Sequence, residues 1–520
     1  MEGREIILPM RKDVIKAIVV VFIASFCTMV IELVAGRIMA PYVGVSLYTW
    51  TSIIGVVLAG ISIGAYLGGI WADRYPTPKT LGWLLFVSGL AALSISPLTG
   101  AVARWHLETS LMLRILAVTA IIFFVPSCLL GMISPVVVRL SLDRLERSGN
   151  VVGKIYAFST LGSILGTFAT GFFLISWMGT RNILLLMALI LIVSSPFFGG
   201  AFLKRRVFVV LFPVIFATLW AIHSTAFTKH RDDNSYFFKE TDYFTIEVKT
   251  VEKDGRKLEA VILDNLIHSF VDLKDPFHLQ YGYERTYADL VAWKAKSNPR
   301  FRALSIGGGG YTFPRYLEAK YPEARIEVIE IDPYLTELAY QHLGLSRTTR
   351  IRSFNGDARW SLMNFPEKGV YDFIFGDAFN DLTIPYHLTT KEFSSLIRSL
   401  LKPDGMLIAN VIDDFQKGLF MPSYVRTLEE AFGKGKVGLV ADSPFENMGI
   451  STMIVVASPA DHPWKEAEQL DEGKCFVISP QEVDQKLQNR LGVVLTDDHA
   501  PVDNLTAPIF EERFGRKRQG

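Results

Sequence analysis

Apolar positions divide this chain of 520 residues into two unlike halves. Before about residue 225 they form seven long runs, at 14–36, 47–71, 80–102, 112–137, 151–177, 182–201 and 206–224. A helix needs ~20 apolar residues to cross a bilayer, so each run predicts a membrane span. Beyond residue 225 the runs are short. A polar stretch from 225 to about 235 reads as a linker. Brief β-like patterns follow at 244–249, 258–264 and 266–271, with Asp254-Gly255 as a turn between two of them. A helix is predicted near 285–295. From there strands (303–307, 326–330, 350–353, 371–376, 405–411, 437–441, 451–457) alternate with helices (312–320, 334–342, 358–364, 390–400, 420–432). Alternation of that kind predicts a mostly parallel sheet with helices on both faces. The expected organisation is a transmembrane domain over 1–225, a small β-domain over 236–285 and an α/β domain over 286–510.

Within the membrane half, Gly60, Gly64 and Gly68 recur every four residues, as do Gly162 and Gly166. Small residues at that spacing let helix backbones pack closely. Pro126 and Pro135 predict a kink or a cavity lining in the fourth span. Glu32 lies inside the first span and Arg37 near its end. Charges at that depth pair with each other or face a cavity. Basic residues favour the loops on the N-terminal side (Arg4, Arg11, Lys12, Arg74, Lys79, Arg139, Arg144 and Lys204 among them) over the opposite side (Arg37, Arg104, Arg114, Arg181). That bias puts the N-terminus in the cytoplasm. Seven crossings then place the second half outside, and one miscounted span would return it to the cytoplasm. The expectation taken here is a multi-pass protein of the cell membrane with a cytoplasmic active site.

Half of the residues are hydrophobic and the mean hydropathy is +0.29, which fits a bilayer as a partner. The net charge of +1 argues against nucleic acid. Cys27, Cys128 and Cys475 are too few and too scattered for a disulfide framework, and no Cys/His spacing suggests a metal.

The chemistry concentrates in 303–333, ALSIGGGGYTFPRYLEAKYPEARIEVIEIDP. A strand enters four glycines, Gly307, Gly308, Gly309 and Gly310. A helix follows, and a second strand ends at Glu330 and Asp332. Glycines after a strand let backbone N–H groups approach a ligand beside a helix N-terminus. An acidic residue about 20 positions on suits a ribose diol. In such sheets ligands sit at the carboxyl ends of the strands, which adds Asp357 and Asp377 to the candidates.

The ordered set GGGG…EID…GDA…YDFIFGDAFND…IPYHLTTKEF resembles the spermidine synthase (polyamine aminopropyltransferase) family. LDNLIHSF at 263–270 and LTDDHAPVDNL at 495–505 extend the likeness. The resemblance covers roughly 240–505, and members fused to N-terminal transmembrane helices extend it to the first half. It implies a Rossmann-like class I methyltransferase fold preceded by a small β-domain. It implies transfer of an aminopropyl group from decarboxylated S-adenosylmethionine to a diamine such as putrescine, with release of methylthioadenosine and without a metal. By position, Glu330 matches the acid on the ribose hydroxyls, Asp357 with Ala358 the adenine contact, and Asp377 the proton acceptor. Tyr283 and Glu284 fall near a substrate-side tyrosine, and His268 stands where the family has a glutamine.

Two positions depart from the family. Gly310 replaces an aspartate that holds the donor's ammonium. In the catalytic loop the second aspartate's place is taken by Asn380, with Asp381 one residue later. Asp381, Tyr386 and Asp498 remain candidates for an acidic, aromatic amine pocket. The loss at 310 keeps two other readings in play: a methyltransferase using intact S-adenosylmethionine, and a transporter or sensor that binds nucleosides or polyamines. A homo-oligomer is compatible with all three.

Overall fold

The computed structural model describes residues 12–43, 46–102, 111–142, 148–199, 234–264, 266–296, 298–378, 384–445, 448–461, 475–487, 490 and 492–515. The chain divides into two compact units, Met1–Arg231 and Asp232–Gly520.

The first unit is helical. Its elements are α1 (Lys12–Val43), α2 (Leu47–Arg74), α3 (Pro78–Val102), α4 (Leu111–Ser141), α5 (Ser148–Ala169), a π-helical turn (Thr170–Leu174), α6 (Ile175–Trp177) and α7 (Thr180–Phe198). Among the described residues, six helical stretches are long and apolar enough to cross a membrane, with α5, the π turn and α6 acting as one. The seventh expected span, 206–224, lies outside the described residues, as does most of the linker. The glycine spacing has the packing consequence expected of it. A Cβ at Gly60, Gly64 or Gly68 of α2 would come within 2.7, 2.0 and 2.7 Å of α4 atoms at Ser127, Cys128 and Met132. Gly162 and Gly166 of α5 press against Phe22 and Phe26 of α1 in the same way. Helix α4 runs unbroken through Pro126 and Pro135. Glu32 and Arg37 both lie half-buried on α1.

The second unit begins with a four-stranded antiparallel sheet, β1 (Ser235–Glu240), β2 (Thr245–Lys253), β3 (Arg256–Leu263) and β4 (Leu266–Val271). Strand β1 occupies residues partly assigned to the linker. Helix α8 (Gly282–Ala295) leads into β5 (Arg302–Ile306). The alternation continues through α9 (Thr312–Lys320), β6 (Arg325–Glu330), α10 (Pro333–His342), β7 (Arg352–Asn355), α11 (Ala358–Met363), β8 (Tyr371–Gly376), α12 (Lys391–Leu400), β9 (Leu401–Asp414), α13 (Phe420–Phe432), β10 (Val437–Ala441) and β11 (Ile450–Ala457). A short β12 (Phe476–Ile478) and helices α14 (Pro480–Leu487) and α15 (Val502–Gly515) complete it; the sequence pattern had not indicated these three.

The larger sheet has the order β12-β10-β11-β9-β8-β5-β6-β7. Pairs from β9 to β7 are parallel, and the β9, β11, β10, β12 end is antiparallel. This is the Rossmann-like class I methyltransferase arrangement expected from the sequence, with a small β-domain before it. The antiparallel end follows from connectivity: the link from Ala441 to Ile450 is too short to carry a parallel crossover.

Side chains alternate between two cores. Leu304, Ile374, Leu407 and Ala409 join one, while Ala303, Phe373, Phe375, Met406 and Ile408 join the other. That second core also takes Ile246, Val248, Val261 and Val271, so the small sheet is packed onto the larger one. Burial on both faces explains why these strands read as continuous apolar runs. From β5 the chain moves outward through β6 and β7, then returns to β8 on the other side. The switch point therefore lies between β5 and β8, where ligands of open α/β sheets bind.

Candidate functional site

The glycine loop leaves β5 at this switch point. Gly307 has φ +98°, which favours glycine. A Cβ there would also stand 2.2 Å from the Asp377 carbonyl oxygen. The N–H of Asp377 donates to the Ile306 carbonyl at 2.9 Å, so the loop and the end of β8 are held together.

Glu330 ends the neighbouring β6. Its carboxylate, 4% exposed, accepts hydrogen bonds from the N–H groups of Gly308 (2.8 Å), Gly309 (3.4 Å) and Asp332 (2.9 Å). Burial pushes its pKa up while these donors oppose the shift. Asp332 caps α10 through the N–H of Tyr334 at 2.9 Å and accepts the Thr241 hydroxyl at 2.5 Å, which ties the small sheet to this corner.

Asp357 caps α11 by accepting the Trp360 N–H at 2.8 Å, and its other oxygen meets His387 Nε2 at 2.8 Å. Ala358, the first residue of α11, is buried behind it. Tyr386 begins the short turn that carries His387 and is exposed. Tyr243, between β1 and β2, lies near the same acids: burial first, then Asp332, Asp242, Asp357 and Glu330, raise its pKa.

Asp377 follows β8. It accepts the Asn410 side-chain amide at 2.6 Å and the Tyr283 hydroxyl at 3.3 Å. Burial raises it to about 6, against the opposing pull of those two donors. Glu284, in the first turn of α8, is 4% exposed and pushed to about 8, first by burial and then by the charge of Asp377. Tyr283 stacks on Tyr281 with centroids 5.6 Å apart and meets Tyr287 edge-on at 5.5 Å. The fold thus brings Asp377, Tyr283 and Glu284 together.

The residue at 310 has a structural reason to be glycine. A Cβ on it would lie 2.7 Å from Ser269 Cβ and 2.9 Å from Val271 Cγ2, both on β4. Its N–H donates to the Ser269 hydroxyl at 2.9 Å. The register steps from Ile262↔Ile267 to Val261↔Ser269, which leaves His268 as the extra residue of a β-bulge.

Other sequence candidates are placed elsewhere. Asp498 is exposed in the turn closed by Thr496 and His499. Its neighbour Asp497 takes both guanidinium nitrogens of Arg359, at 2.7 and 2.5 Å, and the Thr390 hydroxyl at 2.8 Å, so the LTDDHA segment braces α11 and α12. Asp381 lies outside the described residues. Sequence reasoning overlooked Asn410, Tyr287, Tyr243 and Ser269. Asn410 had a signal: it is a lone amide within the apolar run of β9.

No protein-family model matches the chain. Curated relatives do. A polyamine aminopropyltransferase from Vibrio vulnificus is 40% identical over 110 residues, 21% of this chain and 37% of that protein. A probable polyamine aminopropyl transferase from Bifidobacterium longum is 28% identical over 243 residues, 46% of this chain and 51% of that one. A polyamine aminopropyltransferase 2 from Aquifex aeolicus is 24% identical over 442 residues, 79% of this chain and 82% of its own length. The chain is similar to the polyamine aminopropyltransferases. It spans less than two thirds of the first two relatives. The Aquifex alignment is longer than the second unit, so the likeness to polyamine aminopropyltransferases extends into the helices.

Proposed function

We propose that the chain is a membrane-anchored aminopropyltransferase that uses decarboxylated S-adenosylmethionine and a small diamine such as putrescine. The observation that carries this reading is the partly desolvated carboxyl of Asp377. It is held by Asn410 and Tyr283 at the switch point, joined through Gly307 to the loop that Glu330 organises. The family resemblance and the curated relatives support it.

Aminopropyl transfer is a displacement at the carbon next to a sulfonium. A neutral amine forms the new C–N bond, and the C–S bond breaks with its electron pair going to sulfur. Methylthioadenosine leaves as a neutral thioether. The leaving group is already activated, so the protein's main tasks are alignment and proton removal. The attacking nitrogen becomes cationic as the bond forms and gives up a proton to Asp377. With a pKa of about 6, Asp377 is ionised at neutral pH and ready to accept it. Glu330 takes the ribose hydroxyls and Asp357 the adenine amino group, while the glycine loop, whose N–H groups hold Glu330 and Ser269, lets the backbone pass close to the donor. Asp377→Asn in the full chain tests the reading: methylthioadenosine release with putrescine should fall by about 10²–10⁴.

One observation favours a second reading. The neutral Ser269–Gly310 contact leaves no carboxylate at that point of the loop to repel intact S-adenosylmethionine, which would suit methyl transfer. Calorimetry with both donors separates the two readings, since tighter binding of the decarboxylated one supports aminopropyl transfer.

For the membrane half we propose anchoring, with the second unit on the cytoplasmic face. Six crossings return the chain to the side of its N-terminus, and a seventh would reverse it. A reporter fused after Gly520 that works only outside the membrane would overturn that placement.

A further inference from the structure

Glu32 is the unexplained charge of the helical unit. It lies on α1 within Val14–Ala40, a stretch long and apolar enough to cross a membrane. It does not pair with Arg37, and among the described residues none makes an ion pair or hydrogen bond with it. From Val20 to Ala40 no residue of α1 is exposed, and the helix touches α2, α4, α5 and α7. Half-buried Glu32 therefore faces a seam between helices rather than open lipid.

Helical spacing puts Ser25, Thr28 and Glu32 on one flank of α1. The Ser25 hydroxyl meets that of Ser159 on α5 at 2.6 Å, so the flank borders the α1–α5 seam. Gly162 stands against Phe22 and Gly166 against Phe26, in step along the two helices. One further turn in that register sets Thr170 opposite Val30, near Glu32, and α1 touches the π turn that Thr170 begins. Such turns recur at functional sites in helices. A helical side chain leans toward the N-terminus, which carries the Glu32 carboxylate toward Thr28 and the level of Thr170.

Both neighbouring hydroxyls direct their protons into their own helices. Thr28 donates to the Ala24 carbonyl at 2.8 Å, and Thr170, 0% exposed, donates to the Gly166 carbonyl at 2.7 Å. Each then presents an oxygen that can only accept. A carboxylate at this depth is costly without a cation. A primary alkylammonium brings positive charge, three N–H donors, no acceptor and an apolar body. A divalent metal ion would want about six oxygens. Among the described residues no group of three or more His, Cys, Asp or Glu could hold one. Trp50 of α2 lies against Gly36, one turn beyond Glu32, and aromatic rings attract ammonium groups.

We propose that the seam between α1 and the π turn binds a primary alkylammonium ion, with Glu32 taking its charge and the Thr28 and Thr170 hydroxyl oxygens accepting its N–H groups. The helical unit then has a ligand of its own besides its anchoring role. The inference rests on the membrane reading of that unit and not on the chemistry of the second.

The test is carbodiimide labelling of the full chain in lipid nanodiscs. Dicyclohexylcarbodiimide modifies carboxyls in apolar surroundings, and mass spectrometry of the α1 peptide reads Glu32 alone, apart from any amine bound elsewhere. Glu32→Gln identifies the label. Saturating butylamine should slow labelling at least about tenfold, as expected for a ligand well above its dissociation constant, while butanol and sodium chloride should not. Thr170→Val should raise the half-protecting butylamine concentration about fivefold, the scale of one hydrogen bond. Thr28→Val serves if Thr170→Val does not fold. No labelling of Glu32, no protection by butylamine, equal protection by butanol or sodium chloride, or a half-protecting concentration that neither variant moves would overturn the site. Failure of the membrane reading shows separately, as release of the chain from vesicles by alkaline carbonate.

Discussion

The two ends of the site differ in how their carboxylates are satisfied. At the end we assign to the nucleoside, Glu330 accepts three backbone N–H groups, and Asp357 holds both a helix N-terminus and His387. At the end we assign to the amine, Asp377 has two side-chain donors, Glu284 has one long bond, and two neighbouring oxygens have none. The first end is preorganised by the backbone and needs little from its ligand beyond fit. The second relies on side-chain donors and is left with fewer hydrogen bonds. Carboxylates alike in sequence therefore differ in energetics, and the paired ones give up much less when a ligand is absent.

The sharpest break of the comparison is Asp377→Asn. It should lower kcat by about 10²–10⁴ while leaving methylthioadenosine affinity nearly unchanged. The wild-type kcat/KM should fall as pH drops through about 6, where Asp377 protonates. The same group has a stability signature. Its folded pKa lies above its unfolded value, so the folded state disfavours the charge at high pH. Asp377→Asn should raise the melting temperature at pH 8, and the gain should vanish below about pH 4, where both states are protonated.

At the nucleoside end, Glu330→Gln should weaken methylthioadenosine binding by about 10- to 100-fold, the scale of a charged hydrogen bond, with little change in amine selectivity. Calorimetry reads both. Gly310→Asp is a packing change first: the contact with Ser269 and Val271 should cost about 1–3 kcal/mol in denaturant unfolding of the full chain, partly relieved by Ser269→Gly. The smallest effect is expected at Arg359→Ala. The half-exposed pair with Asp497 contributes about 1 kcal/mol or less, and amine binding should not follow it.

Much of this was legible in the sequence, for identifiable reasons. The parallel strands announced themselves because both their faces are buried. Glu330, Asp357 and Asp377 stand at strand ends, where order along the chain maps onto position in the sheet. What failed to show was whatever depends on distant pairing. Asp498 stood as a ligand candidate because nothing local shows that its neighbour Asp497 is tied to Arg359, far away in sequence, in a bracing turn. Gly310 looked like a lost carboxylate, and only the approach of β4 explains it. Asn410 and Tyr287 sit in apolar segments where periodicity marks them as core. Strands β1 and β12 are short or lie in polar surroundings, and helices α14 and α15 follow a polar stretch, so no period marks them.

The central claim is that Asp377 accepts the proton of an amine attacking an adenosyl sulfonium. The most direct measurement is methylthioadenosine release by the full chain in lipid, with decarboxylated S-adenosylmethionine and putrescine, from pH 5 to 8, for wild type and Asp377→Asn. Wild-type release should rise through about pH 6, and the variant rate should be about 10²–10⁴ lower and lack this rise. Equal rates and equal pH profiles for the two proteins, or no release from the wild type, would contradict it.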